Sequence, residues 1–291
     1  CADRHQSHSG GEGLSRHQLP DVTTGGFVNS ANPLTAEFNF PYGLDLNSSG
    51  ELFVADLFND AIRKILPSGA VSTLSGKGTV PGDTDGTGTN AQFNWPTDIT
   101  IFQDSILFVT DYRNNKIKKI SANGFTVTIA GKNSSGDVNG PLSSSTFFSP
   151  LSLSMYDNNS FLIVDNGNIK IRSLNFVSSS TADFAGAGIV GAFNGRSTSA
   201  TFNYPTDIAI RTIGGQKEIF VADQSNNVIR LIDGSGNVST VVGDGIPGFK
   251  NGEGKAARLN KPYGLAFDAL DNSILYVTDE YNHCIRKVVI E

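Results

Sequence analysis

The sequence predicts an all-β fold, a five-bladed β-propeller of four-stranded antiparallel blades, and three observations carry that prediction. A Phe-Asn-x-Pro mark, degenerate as Phe147-Phe148-Ser149-Pro150 and Leu259-Asn260-Lys261-Pro262, recurs with its prolines at 41, 96, 150, 205 and 262, so the spacings are 55, 54, 55 and 57 residues. Each proline leads into an alternating run and then an apolar run that ends in Asp. Gly (32 residues) and Pro (11) are frequent enough to punctuate many short strands. A fixed period of this length marks a repeat architecture, and short strands without helices favour a radial array over a solenoid.

The unit reads in order. The first strand follows the proline, as in Gly43-Leu44-Asp45-Leu46 and Asp98-Ile99-Thr100-Ile101. Its alternation is that of a half-buried strand. The second strand occupies residues 52–56, 106–111, 161–165, 219–223 and 274–279, and is nearly all apolar. A strand with no polar side is covered on both faces, which neighbouring blades provide. A turn containing Asn then leads to a third strand ending in Ile-Arg or Ile-Lys, as in Asn226-Asn227-Val228-Ile229-Arg230. Asn suits the turn because it tolerates positive φ. Four units add a fourth strand, as in Val71-Ser72-Thr73-Leu74, followed by a Gly-rich loop.

The fifth unit reaches Glu291 just after its third strand. The N-terminal side is expected to close the ring. Gly26-Phe27-Val28-Asn29 matches Gly136-Asp137-Val138-Asn139, the loop that normally follows a fourth strand. Residues 14–19 are therefore expected to pair with residues 284–290, with 1–13 as a flexible tether and 14–291 as one propeller. No sixth unit is found, so six blades are the lesser expectation.

Composition excludes several classes. The net charge is −6, which argues against phosphate-driven nucleic-acid binding. No apolar run approaches the ~18–20 residues of a spanning helix. Two cysteines cannot make a disulfide framework. There is no Gly-x-Ser-x-Gly elbow, and the Gly-x-Gly stretches precede no helix.

Two longer motifs carry a family resemblance. One is Asp85-Gly86-Thr87-Gly88-Thr89-Asn90-Ala91-Gln92-Phe93-Asn94-Trp95-Pro96; the other is Phe220-Val221-Ala222-Asp223 with Asn226 and Ile229-Arg230. They resemble NHL repeats over about residues 20–291, in the variant seen in teneurins and bacterial surface proteins. The resemblance implies a scaffold that hosts unrelated functions. It also implies six blades more often than five, and lyase- or lactonase-like relatives with a metal over the central channel.

Candidate sites follow. Asp56, Asp111, Asp165, Asp223 and Asp279 recur in every unit, as do Arg63, Lys118, Arg172, Arg230 and Arg286. Recurrence argues for a structural role. His5, His8, His17 and His283 avoid the first strands, so a His-held channel metal is not expected. Asp45, Asp98 and Asp207 lie on first strands and form a weak Ca²⁺ candidate, against the plainer reading that each bonds a backbone amide. Phe58, Tyr112, Arg113 and Tyr281 on the middle turns, with Tyr42, Trp95, Tyr204 and Tyr263 beside the prolines, are the candidate binding rim. Cys1, followed by Ala2 and a polar stretch, resembles the lipidated start of a mature bacterial lipoprotein. The expected protein is a non-enzymatic scaffold at the cell envelope. It binds a protein or glycan, no nucleic acid, and a membrane only through Cys1. The alternative is a hydrolase or lyase with a carboxylate-bound metal in the channel.

Overall fold

The computed structural model describes residues 25–290, which form five antiparallel blades arranged around a central channel. Blade 1 comprises Pro41–Leu46, Leu52–Asp56, Ala61–Ile65 and Val71–Ser75. Blade 2 comprises Pro96–Phe102, Ile106–Asp111, Lys116–Ile120 and Phe125–Gly131. Blade 3 comprises Pro150–Asp157, Ser160–Asp165, Lys170–Asn175 and Ser180–Ala185, and blade 4 Pro205–Ile213, Gln216–Asp223, Val228–Ile232 and Asn237–Val242. Blade 5 has Pro262–Phe267, Ile274–Asp279 and Cys284–Val289.

The uniform four-stranded blade is corrected in two ways. Blades 2, 3 and 4 carry a fifth, two-residue strand from the loop ahead of the first strand, at Gly86–Thr87, Gly140–Pro141 and Gly195–Arg196. Each pairs with the outer strand of its own blade, covering an edge that would otherwise invite association. Ser30 makes the same bridge to Val71 in blade 1, so the matched loop at 26–35 sits where the sequence places it. Blade 5 has three strands among the described residues. The predicted tether at 1–13 and closing strand at 14–19 lie outside the described residues.

The core is divided among the blade junctions. One apolar cluster joins each consecutive pair, such as Phe53, Ala55 and Ile62 of blade 1 against Phe93 and Ile99 of blade 2. Facing sheets exclude water from both sides of the second strands of blades 2, 3 and 4, which is why those strands are largely apolar.

Inside each blade the recurring Asp is the centre of a polar network. Asp223 Oδ1 accepts the Asn203 N–H at 2.7 Å, and its Oδ2 accepts Asn226 Nδ2 and Arg230 NH1, both at 2.8 Å. Arg230 also reaches the carbonyls of Thr201 and Phe193 and the Asn194 side chain. The buried arginine and its aspartate thus tie the loop, the turn and two strands together. The expectation of a structural role holds for both residue sets, with one correction: the basic residues, expected to partner carboxylates or carbonyls between blades, bond the carboxylate and the entry loop of their own blade. Blade 2 uses Lys118, whose Nζ lies 3.7 Å from Asp111 and also faces Asp83 and Asp85. Burial pushes Asp165, paired with Arg172, up to about 6, and pushes Asp111, paired with the more distant lysine, up to about 7.

Candidate functional site

Two regions gather the predicted site residues: an aromatic face at one end of the channel, and the channel wall beneath it.

The face is built by two recurring backbone features. The residue before each marker proline, Phe40, Trp95, Ser149, Tyr204 and Lys261, adopts φ between 53° and 59°. After each second strand a single 3₁₀ turn follows, at Leu57–Asn59, Tyr112–Asn114, Asn166–Asn168, Gln224–Asn226 and Glu280–Asn282. Backbone bonds join the two features, as from Phe58 N–H to the Asn39 carbonyl and from Tyr112 N–H to the Trp95 carbonyl. The next residue locks one blade to the following one: Asp60 Oδ1 accepts the Trp95 N–H at 2.9 Å, and Asn115 Oδ1 accepts the Ser149 N–H at 2.8 Å. Side chains at these positions therefore emerge on one face by construction.

On blades 1 and 2 they form a continuous aromatic row. Ring centroids of Tyr42 and Phe40 are 6.3 Å apart, those of Phe40 and Phe58 5.1 Å, and those of Phe58 and Trp95 5.2 Å. The Arg113 guanidinium carbon lies 3.3 Å from the Trp95 ring centroid, a close cation–π stack. Tyr42 meets Tyr263 edge-on at 5.5 Å, which carries the row across the channel mouth. Tyr204 contacts Tyr112, and burial raises the Tyr204 hydroxyl above its ordinary range. Phe40, Phe58, Tyr204 and Tyr281 are exposed. Tyr281 stands apart: among the described residues no ring contact ties it to the row. Trp95 is half-buried between Phe58 and Arg113, so it serves both packing and surface. Phe40, Glu280 and Gln224 complete the face, and Gln224 donates to Glu280 at 3.2 Å. Glu280 and Gln224 carry no motif, and only the shared turn position reveals them.

Below the mouth, Asp98, Ser152 and Asp207 occupy equivalent first-strand positions. Asp98 Oδ2 accepts the Leu153 N–H at 2.9 Å and Asp207 Oδ2 accepts the Leu265 N–H at 2.7 Å, each from the following blade. Asp45, two residues further along its strand, accepts the Ile101 N–H at 2.8 Å. The Ser152 hydroxyl donates to Asp207 at 2.6 Å. Among the described residues no group of three or more His, Cys, Asp or Glu side chains comes together to hold a metal. The three-aspartate Ca²⁺ candidate therefore does not assemble, because these oxygens already serve as staples between blades. Asp98, Ser152 and Asp207 line a cavity of about 100 Å³ together with Tyr42 and Tyr263.

Burial, and then the neighbouring Asp207 charge, push Asp98 up to about 8, while burial pushes Asp207 up to about 6. Both exceed the unfolded value, so the folded state holds the extra proton. Stability from this pair is complete below pH ~4 and is lost as pH rises toward 8. Asp98→Asn removes that loss. The two proteins should be equally stable near pH 4, with the variant ahead by at least about 2 kcal/mol near pH 9 and its thermal midpoint higher there. Parallel curves across that range would show instead that Asp98 stays charged.

No family model matches the chain. Suppressor of Quenching 1 of Arabidopsis thaliana is 29% identical over 270 residues, covering 87% of this chain and 25% of that protein. NHL repeat-containing protein 2 of Bos taurus is 35% identical over 170 residues, covering 54% of this chain and 23% of that protein. The chain thus spans about a quarter of the length of these relatives. A probable peptidyl-α-hydroxyglycine α-amidating lyase of Caenorhabditis elegans is 30% identical over 138 residues, 46% of this chain and 37% of that protein. Among solved structures, an auxiliary nutrient binding protein of Bacteroides ovatus aligns with TM-score 0.61 at 15% identity, covering 86% of this chain and 69% of that one. Virginiamycin B lyase of Staphylococcus aureus aligns with TM-score 0.53 at 15% identity, covering 90% and 73%. Identities this low establish shared fold alone. With five repeats, five blades and these relatives on hand, the chain is an NHL-repeat β-propeller.

Proposed function

We propose that the chain is a non-enzymatic, extracytoplasmic binding scaffold that recognises a protein or glycan through the aromatic face. The observation that carries this reading is the row Phe40–Phe58–Trp95 capped by Arg113, partly exposed and held by backbone contacts from two blades. Rigid aromatic surface loses little conformational freedom on binding, and Trp, Tyr and Arg dominate interface energetics.

The lyase neighbours support a second reading, a hydrolase or lyase with a carboxylate-bound channel metal. The engagement of Asp45, Asp98 and Asp207 by backbone amides weighs against it.

Trp95 is the only tryptophan in the sequence, so its fluorescence reports on this face directly. Titration with a glycan panel and with envelope-protein fractions should shift its emission for one class. Phe58→Ala should then weaken binding by at least about tenfold, without lowering the thermal midpoint by more than a few degrees. Binding that ignores Phe58→Ala, Trp95→Ala and Tyr281→Ala alike would sink the proposal.

A further inference from the structure

Protein and glycan ligands ask different things of an aromatic surface. A pyranose lays its C–H face flat on an open ring and satisfies its hydroxyls with polar side chains beside that ring. Here successive rings are inclined: Phe58 is turned 33° from Phe40 and 63° from Trp95. Trp95 has one face covered by the Arg113 guanidinium, 3.3 Å from the ring centroid. The row is a corrugated apolar strip rather than a flat platform, with Phe40 58% and Phe58 41% exposed. The polar side chains beside it are already engaged. Gln224 donates to Glu280, Lys261 Nζ donates to Ser225 Oγ at 3.0 Å, and Asp60 Oδ1 accepts the Trp95 N–H. Arg113 is the exception. It is exposed, and its guanidinium makes no ion pair among the described residues. Asp60, the carboxylate whose charge it feels, is buried and committed to Trp95. At 3.3 Å from the indole the guanidinium must lie nearly flat, since an edge-on approach would drive its nitrogens into the ring. Its N–H donors therefore point sideways, in the plane where a carboxylate can accept two of them.

We propose that the partner of this face is an extended protein segment that sets a carboxylate against Arg113 and a large apolar side chain on Phe58 and Phe40. This rests on the aromatic face being the binding surface. The spacing follows from the row. Trp95, under Arg113, lies 5.2 Å from Phe58, and Phe58 lies 5.1 Å from Phe40. Side chains on one side of an extended chain recur every ~7 Å, so the acidic residue stands about two to four positions from the apolar one. The apolar contact supplies affinity, and the Arg113–carboxylate pair supplies selection. A neutral glycan has no charge to offer Arg113. An acidic glycan would bury hydroxyls against Phe40 and Phe58 without hydrogen-bond partners, which is costly.

The test pans a phage-displayed library of random dodecapeptides on the full chain, with the Phe58→Ala protein as the counter-selecting surface. Enriched peptides should carry Asp or Glu beside Leu, Ile, Met or Phe at that spacing. For the best of them, Trp95 fluorescence should give an affinity that falls at least about fivefold when the acid is replaced by its amide. Arg113→Gln is a surface change that should move the thermal midpoint by no more than about 2 °C. It should erase the acid–amide difference while the apolar contact remains. Enriched peptides without an acidic residue overturn the proposal, as does an acid–amide difference that survives Arg113→Gln. A library that yields nothing, beside a glycan whose binding is lost in Phe58→Ala, assigns the face to sugars; the proposal then fails while the binding face stands. If neither peptides nor glycans respond to Phe58→Ala, the binding face itself falls, and the proposal with it.

Discussion

Replacing Arg230 by alanine is expected to destabilise the protein by about 3–5 kcal/mol, read as a fall in the urea midpoint at unchanged slope. The side chain and its partner Asp223 are fully buried and 2.8 Å apart. Truncation would leave that carboxylate without its counter-charge and would strip donors from the carbonyls of Thr201 and Phe193 and from Asn194. Phe202 and the second strand close the Asp223 end of the network from water, while Phe193 and Asn194 lie at the surface. Arg230→Lys should recover part of the loss. Blade 2 already runs on Lys118, which holds Asp111 from 3.7 Å and enlists Asp83 and Asp85 to do so. Blade 4 has Ala192 and Asn194 at those two places, so a lysine there would find less support than it does in blade 2. If Arg230→Ala costs under 1 kcal/mol, the network is not what ties the loop to the blade.

Gly131→Ala should cost at least about 2 kcal/mol, although it adds one methyl group. Gly131 ends the fourth strand of blade 2 with φ at +94°, and a Cβ there would fall 2.2 Å from the Asn115 carbonyl oxygen. The clash is with backbone, so no side chain can swing away. Moving Asn115 would also disturb its bond to the Ser149 N–H, which holds blade 3 in place. The same steric block recurs at Gly76, Gly186 and Gly243, each facing the carbonyl of the left-handed turn residue in its own blade. By contrast Gly140, with open space around its missing Cβ, pays only the conformational cost. A Gly131→Ala protein that melts with the parent would show that the blade can relax around the methyl.

Much of the architecture was legible because a repeat states the same rule five times. The proline marks, the apolar second strands and the Asp–Arg pair each appeared often enough to separate pattern from accident. The candidate rim was legible only as a set of positions. Phe58, Trp95 and Arg113 lie 37 and 18 residues apart in sequence, and no local spacing announces that they stack. The channel aspartates showed the opposite case. The sequence offered a backbone amide as the plainer partner and a metal as the weaker one, and which amide each oxygen accepts is set by the neighbouring blade.

By itself, the sequence determined the fold class, the number of described blades, the strand order within each and the structural duty of the recurring Asp and Arg. These follow from period, alternation and composition, which are local properties. Only the tertiary structure decided which aromatics meet and what the first-strand carboxylates bond. Those are contacts between blades, set by how rigid sheets pack around the channel, and a residue's burial there depends on a neighbour about 55 positions away.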